Sequence, residues 1–236
     1  MTGADVSFVH LGISIPHMVK SFSIGGISFA YYGLIIGIGM ILGLCVAQSD
    51  AKRRGQNPDI YLDFALYGII FSIIGARIYY VFFQWAYYKD HLMEILNLRK
   101  GGLAIYGGVI AGVLTLLVFT KKRHLSFLSM ADSACLGLIT GQMIGRWGNF
   151  INCEAFGRYT DCLFAMRIRR SIVNESMISQ NLIDHLILDN GIEYIQVHPT
   201  FLYESLWNFG LLMFMLWFRK RKTFTGEMLC IYLAGY

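Results

Sequence analysis

The residues best equipped for chemistry stand in one run: Gly145-Arg146-Trp147-Gly148-Asn149-Phe150-Ile151-Asn152-Cys153-Glu154-Ala155-Phe156-Gly157-Arg158. Arg146 and Arg158 carry permanent charge on planar forks, a geometry that matches phosphate oxygens. The amides of Asn149 and Asn152 can donate to ester or glycerol oxygens. If the run opens as helix, Arg146 and Asn149 share a face at i,i+3, and Glu154 stands two turns beyond Arg146. Gly148 and Gly157 permit a bend, or the approach of a headgroup to the backbone. These groups suit the binding of a phosphate ester. A plain polar cap closing a helix end is the other reading of the same stretch. A second cluster is His198-Pro199-Thr200-Phe201-Leu202-Tyr203-Glu204. Glu204 lies one turn into an apolar run, where packing gives no reason for a carboxylate.

The elements that must position these clusters follow from composition. Of 236 residues, 56% are hydrophobic and 15% charged, against about 45–50% and about 25% in soluble domains. That excludes a water-facing globule, and disorder with it. A bilayer core takes about 20 apolar residues per helix. Five runs qualify: Phe29–Ala47, Leu62–Phe83, Leu103–Phe119, Phe127–Ile144 and Pro199–Phe218. A sixth begins near Met228 and stops at Tyr236, too short to span. Pro199 suits a first helical position, where its missing N–H costs nothing. The predicted fold class is an all-α polytopic membrane protein, a helical bundle with a small external head. It forms one transmembrane domain over 1–236, with 148–198 as the head insertion.

The net charge of +5 reads as topology and implies no nucleic-acid partner. Lys52-Arg53-Arg54, Lys121-Lys122-Arg123 and Arg219-Lys220-Arg221-Lys222 hold half of the 20 basic residues. Every second connection therefore carries a basic block, as the positive-inside rule requires of cytoplasmic loops. The N-terminus and Gly148–His198 then lie outside, and both polar clusters face one leaflet. A site built from both would be reached from lipid between helices, with a phospholipid headgroup held and its acyl chains left in oil. Met1–Gly12 has neither the basic start nor the cleavage pattern of a secretory signal peptide.

Other polar residues in the spans have two readings each. Arg77 either serves a site or snorkels to the surface. Asp132 is a helix-start carboxylate or a partner for a basic loop. Gly101-Gly102 and Gly107-Gly108 mark a helix start open to a ligand, or tight helix packing. Cys45, Cys135 and Cys230 read as small packing residues. Cys153 and Cys162 could meet outside, though nothing requires a disulfide. The clusters hold no compact set of metal ligands, so no metal and no cofactor is expected.

Gly145, Arg146, Gly148, Asn149, Phe150, Asn152, Glu154 and Gly157 meet the pattern G-R-x-G-N-F-x-N-x-E-x-x-G. With H-P-x-x-L-Y-E at His198–Glu204, Tyr32-Gly33 and the paired glycines, the chain resembles the prolipoprotein diacylglyceryl transferase family from about Ser23 onward. The resemblance implies a seven-helix bundle in the bacterial inner membrane with an external head. It implies transfer of a diacylglyceryl group from phosphatidylglycerol to the lipobox cysteine of a prolipoprotein, releasing glycerol-1-phosphate. On that resemblance Arg146 stabilises the phosphate leaving group. Asn149, Asn152 and Glu154 position the headgroup or orient Arg146, and Gly157 serves shape. Tyr32 hydrogen-bonds the lipid, Arg77 adds positive charge, and His198 and Glu204 order the site. Many members carry His where this chain has Tyr106, and a phenol with a pKa near 10 is a poor base at neutral pH. Tyr106 is therefore expected to position lipid. The family also continues beyond Gly235-Tyr236 into a last helix with a further arginine. A chain ending here is expected to have weak transferase activity or none. An inactive lipid-binding remnant is thus one alternative, and a small transporter is another, although no internal repeat of the transporter kind is present.

Overall fold

A computed structural model describes residues 3–98 and 101–236. In chain order its strands and α-helices are β1 (Val6–Phe8), β2 (Ile13–Ile15), β3 (Ser21–Ile24), β4 (Ile27–Ala30), α1 (Tyr31–Arg53), α2 (Asp59–Phe83), α3 (Trp85–Tyr88), α4 (Ile105–Lys122), α5 (Phe127–Asn152), β5 (Met166–Arg169), α6 (Gln180–Ile183), β6 (Ile187–Asp189), β7 (Ile192–Val197), α7 (Thr200–Phe218) and α8 (Glu227–Gly235). Five of these, α1, α2, α4, α5 and α7, are long and apolar enough to cross a membrane. They coincide with the five predicted spans. The chain is mostly helical, but all-α needs correcting, because among the described residues seven strands form two sheets.

Among the boundaries that shift, two bear on the site. The first helix starts at Tyr31, because residues 21–30 form a hairpin with Ile24 opposite Ile27. Its two-residue turn is Gly25-Gly26, with φ of 58° and 82°, the left-handed pair that a type I′ turn demands. The fourth span runs on to Asn152, so Arg146, Asn149 and Asn152 are helical. Pro199 stands just before α7, and its carbonyl accepts from Leu202 and Tyr203.

The residues form two compact units. The first comprises Met1–Gly43 and Leu138–Leu216. Its larger sheet is antiparallel, in the order β2-β1-β5-β7-β6. Val6 pairs with Ile168 and Ile168 with Ile195, and all three are buried. These strand residues alternate inward and pack with Leu182, Cys153 and Phe201. Burying one apolar face in this way stabilises a sheet whose strands are individually too short to persist. Residues 6–15 supply two of its five strands.

The second unit comprises Leu44–Gly137 and Trp217–Tyr236. Here α2 and α4 pack almost backbone to backbone. A Cβ added to Gly107 would collide with the Gly75 carbonyl and the Tyr79 Cβ, whereas one on Gly108 would find its nearest neighbour at 3.4 Å. Tight packing is thus the role of Gly107. Gly107→Val is expected to force the helices apart and cost about 1–3 kcal/mol or more, with Gly108→Ala nearly neutral. Thermal unfolding of both variants in detergent checks this.

Asp132, fully buried, is the partner of a basic loop, and the helix start it serves is that of α8, not of its own helix. It accepts from Lys222 Nζ at 2.6 Å and from the backbone N–H groups of Gly226 at 2.9 Å and Leu229 at 3.2 Å. It therefore pairs with a basic loop and also satisfies the otherwise unpartnered N–H groups at the start of α8. Asp50, likewise buried, accepts from Arg53, Ser133 and Arg219.

Candidate functional site

Arg146, Asn149 and Asn152 project from the last two turns of α5, in the first unit. The Arg146 guanidinium is ion-paired with Glu204, in the second turn of α7. Both side chains keep partial exposure, 26% and 42%, so the pair is reachable and an anion can compete with Glu204 for the fork. Glu154 lies just beyond the helix. Its Oε1 accepts from Asn149 Nδ2 at 3.0 Å and Asn152 Nδ2 at 3.4 Å, and its backbone N–H donates to the Asn149 carbonyl at 3.0 Å. The i,i+3 amides predicted to act on a ligand are thus organised around Glu154.

The backbone at Glu154 is strained. Its neighbours Cys153 and Ala155 have φ of 55° and 50°, the left-handed region that costs a non-glycine residue roughly 1–2 kcal/mol. The Thr200 hydroxyl donates to the Ala155 carbonyl and helps hold the bend. The ring of Tyr32, at the start of α1, lies against Gly148, where an added Cβ would sit 2.8 Å from Cδ2. Tyr32 is within electrostatic reach of both Glu154 and Arg146. Gly157 is packed tightly against His198. A Cβ there would fall 2.8 Å from that of His198, and its N–H donates to the His198 carbonyl at 3.0 Å.

His198 does more than order the chain. Its Nδ1 lies 3.3 Å from the Tyr203 hydroxyl and 4.0 Å from Cys162 Sγ. The Tyr203 hydroxyl is also 3.5 Å from that sulfur. This hydrogen bond, with a second from Thr160, holds the Cys162 thiol below its ordinary value. Cys153 behaves oppositely: burial pushes its thiol up to about 11. Both are free thiols.

Several contributors escape sequence reasoning. Trp147 Nε1 donates to Ser205 Oγ at 3.1 Å, and Ser205 Oγ donates to the Met143 carbonyl at 3.0 Å. The Trp147 ring meets Phe150 and Phe201 edge-on, and those two stack at 4.4 Å. A hydroxyl within an apolar run needs a partner, so Ser205 beside Glu204 was a usable signal. Thr200 and Cys162 had none.

Two predicted site residues, Arg77 and Tyr106, belong to the second unit. Tyr106 is 71% exposed at the start of α4, with its ring 6.5 Å from that of Tyr79. Arg77 is buried, and its donors go to the carbonyls of Ile95, Gly101, Gly102, Glu94 and Asn97 at 2.7–3.3 Å. Every guanidinium N–H is therefore engaged, and the fork stacks near Tyr80 and Tyr88. Arg77 neither snorkels nor offers a free fork to a phosphate; it clamps the segment before α4. Gly102, with φ of 78°, lets its carbonyl reach that clamp, and a Cβ there would meet Arg77 Nη1 at 2.5 Å.

The family model for prolipoprotein diacylglyceryl transferase matches residues 20–236. The phosphatidylglycerol–prolipoprotein diacylglyceryl transferase of Clostridioides difficile (strain 630) is 41% identical over 216 residues, covering 92% of this chain and 77% of that protein. Its namesake in Bacillus velezensis is 41% identical, covering 92% and 75%. That of Bacillus licheniformis is 40% identical, covering 92% and 76%.

Proposed function

Because the chain belongs to the prolipoprotein diacylglyceryl transferase family, we propose that it moves the diacylglyceryl group of phosphatidylglycerol onto the lipobox cysteine thiol of a prolipoprotein. The names its relatives carry favour neither a transporter nor an inactive remnant. In the reaction, sulfur attacks the glyceryl carbon and the carbon–oxygen bond to phosphate breaks. Glycerol-1-phosphate leaves with that bond's electron pair, and the thiol gives up its proton. One observation carries the reading: the Arg146–Glu204 pair between two apolar helices, with the Asn149, Asn152 and Glu154 network beside it.

Phosphate arriving between the helices displaces Glu204 from part of the fork. Arg146 then stabilises the charge that grows on the leaving oxygen. Asn149, Asn152 and Glu154 hold the headgroup side of the site in shape, Tyr32 donates to the lipid, and His198 and Gly157 fix the entry to α7. Tyr106 positions lipid, and Arg77 acts through the segment it clamps. Arginine supplies the positive charge the step needs, so no metal or cofactor enters this proposal, and no nucleic acid.

The chain is a multi-pass membrane protein of the bacterial plasma membrane, with the family's seven-helix plan. The N-terminus and the head at 148–198 lie outside, and the three basic blocks lie in the cytoplasm. Purified protein, phosphatidylglycerol and a lipobox peptide test the reaction directly. Mass spectrometry should find a diacylglyceryl gain on cysteine, and an unchanged peptide would sink the reading. Topology has its own test. A membrane-impermeant maleimide applied to spheroplasts should label the partly exposed Cys162 and spare buried Cys153. Because the Cys162 thiol titrates below its ordinary value, its labelling rate should rise with pH and level off earlier than that of a free cysteine. Peptide mapping that finds Cys162 labelled only after lysis would reverse the topology.

A further inference from the structure

Among the described residues of the first unit, the buried side chains with polar atoms lacking a partner include the Tyr194 hydroxyl and, beside the Arg146–Glu204 pair, the amide of Asn208. Asn208 is fully buried, and among the described residues neither its Nδ2 nor its Oδ1 has a hydrogen-bond partner. An amide without partners in an apolar setting is costly, so the position calls for a ligand that supplies them. Its place is informative. Arg146 pairs with Glu204, and the Met143 carbonyl is tied to Ser205. The chain thus descends α7 as it ascends α5. Asn208 is one turn beyond Glu204, and Gln142 one turn before Arg146, so both stand at the next level into the spans.

We propose that Asn208 is a binding residue for an ester carbonyl of the glycerophospholipid whose phosphate docks on Arg146. This rests on the transferase reading and adds to it a determinant of lipid class. A glycerophospholipid separates its ester carbonyls from its phosphate by a few bonds of about 1.5 Å each. That span is comparable with one helical turn, about 5.4 Å. The amide is sealed in this conformation, and the polar ties that close the seam above it include the Arg146–Glu204 pair and the Ser205 bonds to Trp147 and Met143. Phosphate competing for Arg146 loosens the first of these. The buried amide makes the closed seam less stable, and an ester carbonyl satisfies Nδ2 when the seam opens. Lipid binding therefore favours the open state through a contact the closed state lacks.

The test compares diacyl phosphatidylglycerol with its dialkyl ether counterpart, which lacks the carbonyls. Binding to the purified chain is measured by native mass spectrometry, and transfer is measured to a lipobox peptide. The wild-type chain should prefer the ester lipid by about tenfold in both, the worth of one buried hydrogen bond. Asn208→Leu, close in volume and apolar, should bring the ester lipid down to the ether level. The ester-to-ether ratio of binding and turnover in that variant should fall to about one, with the unfolding midpoint equal or higher. Equal wild-type affinity for the two lipids overturns the proposal, whatever the variant does. So does a variant that loses both lipids alike, which marks a merely structural role, or one that keeps the ester preference. A wild-type chain that binds the ester lipid preferentially but transfers nothing would overturn the transferase reading and leave this assignment standing.

Discussion

Arg146→Lys is expected to lower kcat for diacylglyceryl transfer by about a hundredfold or more, although it keeps the charge. The wild-type fork can hold Glu204 with one edge and a phosphate with the other, because its N–H groups diverge in a fixed plane. Lysine offers a point charge that must choose. Removing a preorganised donor aimed at developing negative charge typically costs about 10²–10³ in rate. Arg146→Ala should be worse, since it also leaves Glu204 without its partner between two apolar helices. Steady-state kinetics with the lipobox peptide measures this, with the unfolding midpoint as a control for folding. Normal turnover in the alanine variant would remove Arg146 from the leaving-group role.

The second large effect concerns stability. Asp132→Ala should destabilise the chain by about 3–5 kcal/mol, the usual cost of breaking a buried, hydrogen-bonded ion pair. Asp132 is fully buried, and the Lys222 side chain it holds is only 19% exposed. The change would strand that ammonium and release the two N–H groups of Gly226 and Leu229 that Asp132 satisfies. Asp132→Asn, which can still accept from backbone N–H, should fall between. The exposed pair of Arg123 and Asp63, at 53% and 45%, supplies the contrast, because Asp63→Ala should cost less than about 1 kcal/mol. Denaturant titration in mixed micelles ranks the three. A ranking that put Asp63 first would mean that burial does not govern these pairs.

The spans were legible because lipid imposes a local rule. A helix that satisfies all its own backbone groups needs about 20 apolar residues in succession, and that requirement is written in contiguous sequence. The polar clusters were legible for the same reason: Arg146 and Glu204 are conspicuous against oil. Arg77 was equally conspicuous, yet its partners were not. It donates to five backbone carbonyls between Glu94 and Gly102, and every residue type carries a carbonyl, so no side chain betrays them. The hairpin at 21–30 did leave a trace in Gly25-Gly26 and the alternation around it, but the apolar run behind it masked the signal.

By itself, then, the sequence determined five membrane-length helices, the two polar clusters and the inventory of groups able to hold a phosphate ester. Each of these depends on residue type along a continuous stretch. Tertiary structure decided the rest. Residues 6–8 pair with 166–168, and strands of three to six residues hold their register only through partners distant in the chain. The bend carrying Glu154 places Cys153 and Ala155 in left-handed backbone, which neither residue prefers and which surrounding contacts must impose. Asp132 satisfies the start of a helix that begins almost a hundred residues later. In each case the deciding energy lies in contacts between segments far apart in sequence, and it exists only once the chain has folded.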